Sequence, residues 1–196
     1  MPETSQLKSA TPSRLLKSDE YIVGTHISLR LVTLEDCDAT YVSWLCDPLV
    51  NQFLETRWTQ QTLHSIRDFV STLLHDPYNY LFAIIEMATQ QHIGNIKIGP
   101  INFHHQHAEI SYFIGEKTAW GKDYATEAIH LVTAFAFQTL QLHRLQASTY
   151  ASNRGSQRAL EKAGFTLEGR LVQKLRISRA LKNIYMPFLP IAKHSI

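Results

Sequence analysis

Apolar and polar residues alternate along "HISLRLVT" (His26–Thr33), the period-2 pattern of a strand with one buried face. "TLED" (Thr33–Asp36) then has the spacing of a capping signal, which predicts a helix through Leu45 and a "CDP" turn after it. In "TQQTLHSIRDFVSTLLHD", Leu63, Ile66, Phe69, Val70, Leu73 and Leu74 recur at helical spacing. "YLFAIIEM" (Tyr80–Met87) and "HIGNIKIGPIN" (His92–Asn102) flank the turn "ATQQ" and predict a hairpin. A polar turn, "FHHQH", leads to a further strand over Ala108–Gly115. A helix over Tyr124–Leu140 follows, then a strand over Arg144–Tyr150 and a short helix within Gly155–Ala163, with Gly164 as its stop. "FTLEGRLVQKL" and "NIYMPFL" close the chain as two strands. The order β-α-α-β-β-β-α-β-α-β-β predicts an α/β protein. Three sequential strands make an antiparallel half, and the strand–helix–strand unit from Ala108 to Tyr150 makes a parallel step in the same sheet.

Composition narrows the class without changing that outline. The chain has 196 residues, 44% hydrophobic and 18% charged, enough to bury a core. Nineteen Lys+Arg against 17 Asp+Glu leave a net charge of +2, so nothing in the charge balance points to nucleic acid or an anionic membrane. No apolar run approaches the roughly 18–20 residues of a membrane span. The two cysteines, Cys37 and Cys46, make no disulfide framework, and a reducing cytoplasmic compartment is expected. Met1–Glu20 is polar, carries two prolines and lacks an apolar stretch; it is expected to be a poorly ordered tail ahead of a single domain over residues 21–196. Either a monomer or a homodimer is compatible with these residues.

"WGKDYATEA" (Trp120–Ala128) carries the candidate chemistry. The first amides of a helix lack intrahelical partners, and the dipole is positive at that end. A turn that gathers those amides binds phosphate without Lys or Arg. Gly121 permits a tight turn, Ala125 is small and Thr126 adds a hydroxyl. Taken alone, one glycine before a helix is also what a plain loop contains.

Linked motifs add to it: "WGKDYATEA", "FAFQTLQLHRLQA", "NRGSQRALEKAGF" and "EGRL" occur in that order. Together they resemble the GCN5-related N-acetyltransferase (GNAT) superfamily, and its RimJ/RimL-like branch in particular, over about residues 26–190. The resemblance implies a GNAT fold, a splayed mixed sheet of about seven strands flanked by about four helices. It implies acetyl-CoA as co-substrate, lying where two strands diverge, and no metal. The pyrophosphate would sit on the amides of Gly121, Lys122, Asp123, Tyr124, Ala125 and Thr126. The pantetheine arm would pair with the strand edge at Phe113, Ile114 and Gly115. Asn153 and Ser156 would face the cofactor from the next strand–helix junction. Family members carry glycine where this chain has Asp123. An aspartate tolerates left-handed backbone, but its charge opposes a pyrophosphate and it can cap the amides the phosphate needs. Either Asp123 turns to solvent, or it fills the anion site itself. Lys117 and Lys122 flank the turn and partly offset its charge.

Acetyl transfer to an amine needs a group to take the amine proton and donors for the oxyanion. Glu109, on the strand leading to the splay, is the first candidate base and Glu55, in "NQFLETRW", the second; backbone amides near Ile114 serve the oxyanion. Many relatives place a tyrosine in the helix after the Asn, where this chain has Leu160; Ser156 is the remaining group there to orient the thiolate, and Tyr150 is close in sequence. A covalent route through Cys37 or Cys46 has no paired histidine, and a metal at His104–His107 has no third ligand. For the acceptor, Glu55, Arg57, Trp58, Tyr80 and Lys97 form the candidate pocket. Arg57, Lys97 and the aromatics suit an anionic, stackable amine such as a nucleotide-linked amino sugar; a small amine of another kind or a protein N-terminus is the alternative. A non-catalytic acyl-CoA-binding module is the reading outside catalysis.

Overall fold

A computed structural model describes Leu16, residues 20–177 and residues 180–190 of the chain. Apart from Leu16 and Glu20, the expected tail lies outside the described residues. The chain opens with β1 (Tyr21–Val23) and β2 (Ile27–Leu31). Helices α1 (Ala39–Cys46), α2 (Pro48–Asn51) and α3 (Leu63–His75) follow, then β3 (Tyr80–Glu86), β4 (Gln91–Asn102) and β5 (His107–Ile114). After α4 (Tyr124–Ala134) come β6 (Arg144–Ala147), β7 (Thr149–Tyr150), α5 (Arg154–Lys162), β8 (Thr166–Ile177) and β9 (Ala180–Pro190). Among the described residues, nine strands form one mixed sheet in the order β1-β2-β3-β4-β5-β6-β9-β7, with β8 paired to β9. Strands β1 to β5 are antiparallel neighbours, and β5 to β6 is the parallel step.

Both faces of the sheet are covered, and β3 records it. All seven of its residues are buried, so the run "YLFAII" is apolar on both faces instead of alternating, and only the last residue, Glu86, is charged. Tyr80, Phe82 and Ile84 join Ile96, Ile110, Ile129 and Leu145 in the main core under α4. Leu81, Ala83 and Ile85 face Tyr41, Trp44, Ile66 and Val70 in a second core under α1 and α3. Helix α3 starts where Thr62 and Ser65 cap one another, and it buries Ile66, Val70 and Leu73.

Strand β1 and the short helix α2 were not among the expected elements, and three of the expected ones depart from their reading. The helix expected from Thr33 to Leu45 is broken. Asp36 is drawn back onto Arg30 at 2.6 and 2.7 Å and onto the Thr33 amide at 2.7 Å, which closes a short 3-10 turn over Leu34–Asp36. Asp38 then accepts from the Tyr41 amide and starts α1 afresh. The strand expected over Arg144–Tyr150 splits at Ser148: β6 pairs with β5 and β9, while among the described residues β7 pairs with β9 alone. The helix expected through Leu140 keeps its length, but its last turn, Phe135–Thr139, is a π-helix.

Candidate active site

The parallel ladder between β5 and β6 runs from His107↔Arg144 to Ile110↔Ala147 and stops. Beyond it β5 continues to Ile114, paired only with β4 among the described residues. The inner edge of Ser111–Ile114 therefore keeps unpaired backbone groups. The two strands part there, and a cleft of about 1130 Å³ opens between them. Alternation along β5 divides it. Ile110, Tyr112 and Ile114 face the α4 side; Glu109, Ser111 and Phe113 face the α3 side.

The turn into α4 lines the α4 side. Gly121 has φ +75°, which favours glycine although a side chain there would meet no neighbour within 4 Å. Asp123 has φ 59° and ψ 12°, the left-handed conformation that aspartate adopts more readily than most residues. Its carboxylate does not cap α4; it accepts from Lys162 Nζ at 2.6 Å, with both side chains exposed. Tyr124, Ala125 and Thr126 follow along the cleft wall.

Neither flanking lysine offsets Asp123. Lys117 donates to Asp47 at 2.6 Å, and Lys122 lies 3.5 Å from Glu86. Lys162, on α5, is the cation the local sequence did not suggest. Lys122 and Gly115, expected among the cofactor contacts, do not line the cleft. Gly115 is packed against the Trp44 indole so closely that a Cβ would lie 2.2 Å from it.

Asn153 and Ser156 meet at the start of α5. The Asn153 side chain caps the helix, accepting from the Ser156 amide at 3.1 Å. The Ser156 hydroxyl is 2.8 Å from the Tyr112 hydroxyl, which also donates to the Ser156 carbonyl at 3.1 Å. Burial pushes the Tyr112 phenol up to about 12, against the opposing hydrogen bond from Ser156. Tyr112 was absent from the expected site, although strand alternation beside Phe113 places it on the opposite face. Leu160 is 1% exposed and part of the main core.

On the α3 side, Glu109 is half-buried in the cleft wall. Lys97 lies across the β4–β5 ladder and donates to Asn79 Oδ1 at 3.2 Å and the Gly99 carbonyl at 3.0 Å. Burial lowers its pKa, opposed by the charges of Glu109 and Asp76. Glu55 reaches over from the loop before α3. Its carboxylate accepts from the Tyr150 hydroxyl through one oxygen and from Trp58 Nε1 at 3.1 Å through the other. Arg57 donates to the Tyr150 hydroxyl at 2.6 Å and to the Gln52 carbonyl, its guanidinium 4.3 Å from the centre of the Trp58 ring. Burial raises the Tyr150 phenol, as does its bond to Glu55, while Arg57 lowers it.

The expected acceptor set is thus only partly gathered. Glu55 and Lys97 line the cleft; Arg57 and Trp58 stand behind Glu55 and Tyr150. Tyr80 does not reach the cleft: its ring is 2% exposed and packs on Phe82 and Phe135 in the main core. Period-2 alternation puts Leu81, not Tyr80, on the cleft face. Cys37 is buried with its thiol pushed up chiefly by that burial, Cys46 is exposed, and neither lines the cleft. Among the described residues no helix is long and apolar enough to cross a membrane, and no cluster of His, Cys, Asp or Glu is arranged to hold a metal.

Comparison with known proteins agrees with this geometry. Residues 26–166 match the model of the acetyltransferase (GNAT) domain. The chain is 28% identical over 169 residues to the uncharacterized N-acetyltransferase p20 of Bacillus licheniformis, covering 85% of this chain and 94% of that one. Its fold is similar to the Vibrio cholerae spermidine N-acetyltransferase in complex with CoA and spermine, with a TM-score of 0.75 at 19% identity over 85% of this chain and 96% of that one. Mycobacterium smegmatis RimJ, in complex with CoA-disulfide, gives a TM-score of 0.73 at 20% identity over 84% and 82% of the two chains. A parallel step that splays beside an uncapped helix N-terminus, and a family match over most of the domain, lead to one conclusion: the chain belongs to the GNAT family of N-acetyltransferases.

Proposed function

We propose that the protein transfers an acetyl group from acetyl-CoA directly to a primary amine, both bound in the cleft between β5 and β6. The observation that carries this reading is the unpaired inner edge of Ser111–Ile114 opening beside helix amides that Asp123 leaves uncapped. An edge strand accepts an amide-bearing chain by hydrogen bonding, and helix amides accept phosphate. A pantetheine arm has two amides and its far end a pyrophosphate, so the residues fit acetyl-CoA. Acetyl-CoA supplies the activated acyl group; the protein's residues do the rest.

Glu109 takes the proton from the arriving ammonium, directly or through water, freeing the nitrogen lone pair. The amine nitrogen bonds to the acyl carbon, and backbone amides near Ile114 hold the developing oxyanion. As the carbon–sulfur bond breaks, the electron pair stays on sulfur, where the Ser156 hydroxyl meets it. Glu55, held by Tyr150 and Trp58, supports the ammonium group before transfer.

The acceptor is a small cationic amine. Two carboxylates, Glu55 and Glu109, line the α3 side; Lys97, a cation on that side, is tied to Asn79 and the Gly99 carbonyl, and Arg57 is committed to Tyr150 and Gln52 and does not line the cleft. A nucleotide-linked amino sugar would lose the phosphate partner that Arg57 was expected to supply. The spermine in the related Vibrio cholerae structure is a ligand of this cationic kind. One observation favours a second acceptor, a protein N-terminus. Leu49 and Phe69, 58% and 50% exposed, line the α3 side, and apolar side chains there suit the residues behind a terminal amine.

Calorimetric titration with acetyl-CoA tests the cofactor, and release of free thiol across a panel of polyamines, amino sugars and short peptides tests the acceptor. Micromolar binding with turnover of a polyamine is expected. Absence of acetyl-CoA binding refutes the whole reading; binding with turnover of peptides alone moves the acceptor to the second.

A further inference from the structure

We infer that Tyr112 is a positioning residue for the transfer step, holding the Ser156 hydroxyl so that its proton points at the departing sulfur. The inference rests on the proposed acetyl transfer. It starts from how Ser156 is held. Its amide is taken by Asn153 at 3.1 Å, and both its carbonyl and its hydroxyl lie within hydrogen-bond distance of one phenol, at 3.1 and 2.8 Å. A serine hydroxyl has one proton and two lone pairs. The 2.8 Å contact between the two hydroxyls admits either donor. In the arrangement proposed, the one Tyr112 proton is shared between the serine carbonyl and hydroxyl oxygens, so that the hydroxyl oxygen accepts from that side. Its own proton must then point elsewhere, and the cleft is the open direction, since both residues line it.

The other phenol on this side of the cleft is committed elsewhere: the Tyr124 hydroxyl donates to Glu86 at 2.7 Å. Among the described residues Tyr112 faces no charged partner, and burial keeps its phenol protonated through the neutral range. It therefore remains a donor at every pH where an amine acceptor reacts.

The bonds balance without a dedicated acid. The carbon–nitrogen bond forms, the carbon–sulfur bond breaks, and the pair stays on sulfur as a thiolate that accepts one hydrogen bond from Ser156. The nitrogen gives up two protons: the first passes through Glu109 to solvent before attack, and the second goes to Glu109 as the tetrahedral intermediate collapses to the amide. The thiolate takes its proton from water after departure, as an alkyl thiol with a pKa of about 8.5 does near neutral pH.

The test is a double-mutant cycle of Tyr112→Phe and Ser156→Ala, read as kcat, KM for acetyl-CoA and calorimetric affinity for acetyl-CoA. Tyr112→Phe is expected to lower kcat about ten-fold, with KM and affinity within about two-fold of wild type, the pattern of an interaction made in the transition state. In the Ser156→Ala background the same change should cost nothing further. Equal losses in both backgrounds, or an unchanged kcat in Tyr112→Phe, overturn the inference. Should the Phe variant fail to fold, Tyr112→Met removes the same hydroxyl and carries the same expectation. Undiminished kcat in Ser156→Ala overturns it whatever the Tyr112 variants do. A wild type that binds no acetyl-CoA overturns the acetyl-transfer reading and this inference with it, whereas a wild type that turns over with additive variants overturns this inference alone.

Discussion

Replacing Asp123 by glycine asks whether the carboxylate in the turn helps or hinders an anionic cofactor. In the folded protein two terms nearly cancel. The left-handed backbone at φ 59° costs a non-glycine residue of order 1 kcal/mol, less for aspartate than for most, and glycine relieves it. The Lys162 pair is worth at most about 1 kcal/mol, discounted because its side chains are 56% and 67% exposed. Stability should therefore change by less than about 1 kcal/mol, a few degrees in Tm at most. Cofactor affinity should respond more. The variant removes one negative charge beside the pyrophosphate position and frees Lys162, which lines the same cleft, to face phosphate. Two unit charges about 4 Å apart in water interact by roughly 1 kcal/mol, so the two changes together give about 1–2 kcal/mol. That is a 5- to 30-fold tighter dissociation constant at low salt, shrinking as salt is added. Calorimetric titration with CoA at low and at raised ionic strength reads it directly. Asp123→Asn should reproduce most of the gain, because it removes the charge and keeps a residue that tolerates left-handed backbone. Lys162→Ala should weaken binding. Unchanged or weaker CoA binding by both Asp123 variants would refute the reasoning and make the carboxylate part of the site.

Glu109→Gln should lower kcat about 100-fold near neutral pH while leaving affinity for acetyl-CoA unchanged, checked by thiol release beside calorimetry; a normal kcat removes Glu109 as the base. Gly115→Ala should destabilise the fold by about 1–3 kcal/mol, seen as a lower urea midpoint at unchanged slope, because the added methyl meets the buried Trp44 indole. His92 gives a pH signature. Burial lowers its pKa below the ordinary 6.5, although hydrogen bonds to Asn95 and Gly94 partly oppose this. A depressed folded value means the unfolded chain binds the proton more readily, so stability is full above about 6.5 and falls as pH drops through the folded pKa. Denaturation of His92→Gln across that window should show a shallower decline than wild type, and equal slopes would remove His92 as the cause.

How much of this was legible depended on whether a residue's environment is local. The Tyr124 helix start, the Ala108–Gly115 strand and the parallel step are local patterns of period and punctuation, and they stand in the structure close to their expected bounds. The break between Leu34–Asp36 and α1 was not legible, since it depends on Arg30 from β2 capturing Asp36 across the strand end. Tyr80 was expected at the acceptor pocket because an aromatic ring suits a stackable acceptor; its place in the main core follows from β3 being covered on both faces. Lys162 and Tyr112 were missed for the same reason: each acts on a group 39 or 44 residues away along the chain.

The sequence by itself determined the order of the principal elements, the antiparallel half, the single parallel step and the turn into α4, while leaving open whether Asp123 caps that helix. These follow from hydrophobic period, capping residues and glycine placement, which act over a few neighbours. Tertiary structure alone decided where β5 and β6 part, which face each β5 side chain serves, and which cation answers Asp123. It also turned Arg57 from an expected ligand of the acceptor into a support for Tyr150. Those outcomes depend on side chains brought together across the sheet, and no spacing along a single chain encodes which distant group will be within 3 Å of another.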